Sequence, residues 1–126
     1  MKKLTFAMEN YLETVYELSA GNSGARLTDI AARMNVTKAS ANNAMAVLSE
    51  KGLITNEKYQ EIKLTSLGVN MAKLIAEKHH IIQRFFTEVL HIDPTIADSD
   101  ACAIEHVISN ESVNAMERFL ATMRSE

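Results

Sequence analysis

Cys102, Glu105 and His106 stand at positions i, i+3 and i+4 of one segment with helical apolar spacing. Residues three and four apart on a helix share a face, so a thiolate, a carboxylate and an imidazole would converge there. Those three donors span the ligand range of iron, zinc, cobalt, nickel and manganese. A lone Cys is more often a small buried hydrophobe than a ligand, and Glu–His neighbours are common on exposed helices. The triplet alone therefore leaves both readings open, and the elements that would position it have to decide.

The chain has 126 residues, which is one domain or two small subdomains sharing a core. Hydrophobic residues make up 47% and there is a single Pro, a mix that favours packed helices. A core of this size gains from dimerisation. Met1-Lys2-Lys3 is followed by too short an apolar stretch for a secretory signal. No apolar run reaches the length of a membrane span. One Cys excludes an internal disulfide framework, which points to a reducing cytoplasm. The net charge of −3 is uneven: residues 26–65 carry six Lys and Arg against four Asp and Glu, and residues 66–126 carry five against nine. The basic part is too modest to indicate nucleic acid by charge alone.

Its pattern says more. Tyr11, Leu12, Val15, Tyr16 and Leu18 recur at helical spacing over residues 5–20, and Gly21 to Gly24 stop that helix. A short helix is expected from Leu27-Thr28-Asp29, with Thr28 as N-cap, then the turn Asn35-Val36-Thr37. Thr37 would cap a second helix over Lys38–Lys51, with Gly52 at its C′ position. From Leu53 the spacing changes to a β-hairpin, with Glu57 to Glu61 as its polar tip and Ile62 to Leu64 returning. Thr65 or Ser66 caps a long helix running to Leu90. Asp93-Pro94 breaks the chain, and Thr95 or Asp98 starts the helix carrying the triplet as far as Ile108. A last helix follows Asn110–Ser112.

Two short helices, a three-residue turn and a hairpin make a winged helix-turn-helix. The expected fold is mainly α, with this reading head over residues 1–70 and a helical domain for dimerisation and metal binding over 71–126. Val36, Ala41, Ala44, Val47 and Leu48 would form the buried seam of the second helix. Facing away are Lys38, Ala39, Ser40, Asn42 and Asn43. An Asn can pair with adenine, and Ala39 could touch a thymine methyl. Thr37, Ser40, Lys38, Lys58 and Lys63 suit phosphates instead. The frame Gly52-Leu53-Ile54, then Leu64-Thr65-Ser66-Leu67-Gly68, favours DNA binding over a merely solvated helix face.

His79 lies on the long helix, and Asn10 and Glu13 share a face of the first. With Glu9 to Leu18, Thr28-Asp29-Ile30-Ala31, Lys78-His79-His80 and Ala101 to His106, the chain resembles the diphtheria toxin repressor family of iron-dependent repressors and manganese transport regulators. The resemblance covers residues 5–122. It implies a cytoplasmic homodimer that binds inverted-repeat, double-stranded DNA when a divalent transition metal is bound. It also implies that Cys102, Glu105, His106 and His79 hold that metal, with Asn10 and Glu13 at further ligand positions. The dimer surface would draw on Val107, Ile108, Val113, Met116, Phe119 and Leu120.

The departures matter. Asn10 is neither the Met of the iron branch nor the Asp of the manganese branch. Cys102 follows the iron branch and Glu13 the manganese branch, so Fe(II) is only slightly favoured over Mn(II). Gln83 and Asp98 replace the Glu and His of the iron branch's ancillary site, and the resemblance is to the shorter members without an SH3-like domain. His80 faces elsewhere, and His91 reads as a helix C-terminal His favoured by the macrodipole.

Two other readings make different demands on these residues. A winged-helix regulator sensing thiol oxidation at Cys102 would need an electropositive setting, and Asp100 and Glu105 argue against one. A metallohydrolase would need an open metal position in a substrate-sized cleft, and nothing in the chain suggests a small-molecule substrate or an enzyme.

Overall fold

The computed structural model describes residues 4–58 and 60–124. Met1 to Lys3, Tyr59, Ser125 and Glu126 lie outside them. The described residues form α1 (Phe6–Ser19), α2 (Leu27–Met34), α3 (Lys38–Glu50), β1 (Ile54–Thr55), β2 (Lys63–Leu64), α4 (Ser66–Glu88), α5 (Pro94–Ile104) and α6 (Asn110–Arg124). Two compact units divide between Lys73 and Leu74, within α4. None of the described helices is long and apolar enough to cross a membrane.

In the first unit α1, α2 and α3 pack on one another, and β1 and β2 lie against α3 and α1. Thr5 caps α1 by accepting from the Met8 N–H, and Leu12 and Val15 are fully buried. Thr28 is not the cap of α2: the extended residue is Arg26, which makes no side-chain cap bond, and Leu27 is already helical. Asn35 ends α2 in the left-handed conformation at φ 57°, which its short polar side chain tolerates. Thr37 caps α3, its hydroxyl accepting from the Ser40 N–H at 3.1 Å. The buried stripe of α3 is Ala41, Ala44, Met45 and Leu48. Val36 and Val47, expected in that seam, are exposed, and Met45 takes the inward place.

The hairpin pairs Ile54 with Leu64 and Thr55 with Lys63, and a bridge from Ala25 to Ile62 ties it to the segment before α2. Thr65 caps α4 by accepting from the Gly68 N–H at 3.1 Å, and its own hydroxyl donates to the Gly52 carbonyl at 2.7 Å. Gly68 is required here because a Cβ would collide with the Leu53 carbonyl oxygen. Both partners are backbone, so Gly68→Ala should destabilise the protein by about 1–3 kcal/mol through overpacking. Urea unfolding monitored by circular dichroism checks this.

In the second unit Ile82, Ala101 and Val113 form the core, with Ile81, Phe86, Ile104, Ile108 and Met116 packed against it. The cap of α5 is Asp93 rather than Thr95 or Asp98, with its carboxylate on the Thr95 N–H at 2.9 Å and Pro94 at the first helical position. The helix ends at Ile104, with Glu105 as C-cap and His106 in the following turn, so the triplet is not carried on one uninterrupted helix. Ser109 caps α6, accepting from the Ser112 N–H, and Asn110–Ser112 are therefore helical rather than a spacer. His91 sits past the end of α4 at φ 57°.

Candidate metal centre and nucleic-acid face

Lys38, Ala39, Ser40, Asn42 and Asn43 are all exposed on α3, opposite its buried stripe. Thr37 and Ser40 are also exposed, and their hydroxyls bond to each other at 2.9 Å. Lys63 projects from β2, and Lys58 lies in the exposed wing tip. This is a helix face of short polar side chains beside a wing bearing two cations. Lys38→Ala should weaken binding to every DNA sequence and flatten the salt slope by about one unit. Asn42→Ala and Asn43→Ala should instead relax sequence preference, at a cost of about 1–3 kcal/mol for the preferred base. Fluorescence anisotropy against operator and scrambled DNA over a salt series distinguishes the two behaviours.

On α4, Ile75, His79 and Ile82 follow one another at i, i+4 and i+7, and both isoleucines are buried. That stripe turns His79 toward the second unit's interior, while the adjacent His80 is exposed. His79 Nδ1 lies 2.7 Å from Glu105 Oε2, and Nε2 lies 2.9 Å from Asp98 Oδ1. On the other side, Glu105 Oε1 is 3.1 Å from His106 Nε2. Glu105 is 1% exposed, so its carboxylate is a buried charge with one oxygen on each of two imidazoles. Burial is the largest single influence on His79 and pushes its pKa down. The Asp98 hydrogen bond and the Glu105 charge and hydrogen bond together outweigh it, so the imidazole is held above its ordinary value.

The donor chemistry fits a divalent transition metal. Burying a carboxylate and two imidazoles is costly unless each is paired, and nitrogen with carboxylate oxygen suits iron, manganese, cobalt or zinc. His79 and His106 thus flank the two oxygens of Glu105 within the second unit. Cys102 lies one turn earlier on α5 and is exposed. Asn10 and Glu13 are half-buried on α1 of the first unit.

The structure adds two contacts. Asp98, which the resemblance sets at the iron branch's ancillary-site position, meets the far side of His79. Lys78 donates from Nζ to the Ile108 carbonyl at 3.1 Å, fixing α4 to the turn that follows His106.

Comparison with known proteins identifies the family. Residues 3–62 match the iron dependent repressor, N-terminal DNA binding domain. Residues 65–126 match the iron dependent repressor, metal binding and dimerisation domain. An uncharacterised HTH-type transcriptional regulator of Methanocaldococcus jannaschii is 30% identical over 121 residues, covering 95% of this chain and 97% of that protein. The HTH-type transcriptional regulator MntR of Listeria monocytogenes is 31% identical over 110 residues, covering 87% and 77%. The crystal structure of IdeR from T. acidophilum aligns with a TM-score of 0.75 at 25% identity, over 94% of this chain and 55% of that one. The chain belongs to the iron-dependent repressor family, and it is a metal-dependent transcriptional regulator built from that family's DNA-binding and metal-binding domains.

Proposed function

We propose that this protein is a cytoplasmic, homodimeric repressor of metal-homeostasis genes, with Fe(II) or Mn(II) as its co-repressor. The observation that carries the reading is the buried Glu105 carboxylate shared between His79 and His106. His79, Glu105, His106 and Cys102 hold the metal, and Asn10 and Glu13 are the donors that α1 would contribute. The bound ion supplies positive charge that neutralises these carboxylates. A metal that binds the DNA-competent dimer more tightly must tighten DNA binding by the same factor. Two reading heads per dimer would recognise an inverted repeat with half-sites about one helical turn apart. The family assignment favours metal over thiol oxidation as the signal.

Fe(II) is slightly favoured over Mn(II) because a Cys thiolate is a soft ligand, while Glu13, Glu105 and Asn10 supply hard oxygen. Cys102→Asp should therefore move the preference toward Mn(II), by about tenfold in the ratio of apparent affinities, as expected for exchanging a soft donor for a hard one. Anaerobic titration of each ion against a fluorescent chelator checks this. The test of the whole reading is operator binding with Fe(II) or Mn(II) and with chelator, under reducing conditions. Equal affinity in all three would overturn it.

A further inference from the structure

Asp98 is the one group on His79 that the metal reading leaves without a role. It lies on α5 two turns before Glu105, and His79 of α4 sits between the two carboxylates. The carboxylates differ sharply in setting: the Asp98 side chain is 61% exposed, and that of Glu105 is 1% exposed. Only the Glu105 side adjoins a second imidazole, that of His106. The two ring nitrogens of His79 therefore face different chemistry, and the ring cannot turn over without exchanging those partners.

We infer that Asp98 is a positioning residue: it accepts a hydrogen bond from His79 Nε2–H and so presents Nδ1 to a metal held with Glu105 and His106. A histidine that ligates through one nitrogen commonly donates its other N–H to a carboxylate, which fixes the tautomer and ring orientation and raises ligand basicity. Here the donor set is directional. In the metal-free chain both ring nitrogens face a carboxylate oxygen; with metal bound, Nδ1 would give up its proton and its bond to Glu105 for the ion, while Nε2–H stays on Asp98. The alternative, in which Asp98 is itself a ligand to a second ion, makes the opposite demand on Nε2, which would then have to be unprotonated.

This inference rests on the metal reading above, and the experiment separates the two. Binding of Mn(II), measured by competition with a fluorescent chelator, gives affinity and stoichiometry for wild type, Asp98→Asn and Asp98→Ala. Asp98→Ala should lose about tenfold in affinity, the lower end of the usual range for such supporting groups because Asp98 is exposed. Asp98→Asn, which keeps an acceptor oxygen, should recover most of that loss, and the number of ions per subunit should not change. In parallel, long-range 1H–15N spectra of the Zn(II)-loaded wild type should show His79 protonated at Nε2 and metal-shifted at Nδ1. Unchanged affinity in Asp98→Ala, a lost ion per subunit, or a metal-shifted Nε2 would each overturn the positioning role. A wild type that takes up neither Mn(II) nor Zn(II) would overturn the metal reading itself.

Discussion

Glu105→Gln should bind operator DNA no more tightly with Fe(II) or Mn(II) than with chelator, whereas the wild type should gain about 5–150-fold, the usual span of allosteric coupling. The substitution keeps the shape and removes one charge. In the wild type that charge is almost fully buried and has a different imidazole on each oxygen. A neutral amide can still hydrogen-bond to His79, but it cannot offset the charge of a divalent ion. Metal affinity should fall with the DNA response, since the two are linked reciprocally. His106→Ala should behave in the same way by removing a nitrogen donor. Circular dichroism and sedimentation should show folded protein in both cases. A Glu105→Gln protein that still responds fully to metal would show that the ion is held elsewhere.

The reading head was largely legible in the sequence because its signals are local. Thr37 caps α3 and Gly52 follows it at φ 76° as the expected C′ residue, each set by chemistry within four positions. Errors arose where one sequence offers two apolar flanks. On α3, Met45 and Val47 both extend a helical stripe, and only packing against α1 and α2 selects Met45. Caps were misplaced where two polar residues compete: Pro94 fixes the helix start, so Asp93 and not Thr95 supplies the oxygen. At the proposed metal centre, Glu105 and His106 stand out in the sequence by their types and spacing. Their meeting with His79 across 26 residues came from the family resemblance, because periodicity does not specify which helices touch. The Asp98–His79 contact was missed for the same reason.

The largest effect outside the metal centre should come from the exposed apolar surface of the second unit. Six residues were expected to form a dimer surface, but Val113 and Leu120 are buried within the chain itself, and Ile108 and Met116 are half-covered by that core. Val107 and Phe119 remain, at 68% and 49% exposure, and Leu90 and Ile96 of the same unit are more than half exposed. Four large apolar side chains left exposed on one small unit point to a surface that is covered in the proposed assembly. Val107→Glu and Phe119→Glu should therefore convert the proposed dimer to monomer at micromolar concentration. They should also weaken operator binding by about a hundredfold or more, because a monomer loses the second half-site's effective concentration. The two variants differ in one informative way. Phe119 stacks edge-on against Phe85, with ring centroids 6.0 Å apart, so its loss should also cost about 0.5–1.5 kcal/mol of monomer stability. Val107 is largely open to solvent, and its substitution should leave the unfolding midpoint nearly unchanged. Sedimentation velocity with thermal melts separates these effects, and a Val107→Glu protein that stays dimeric would place the contact surface away from the turn after His106.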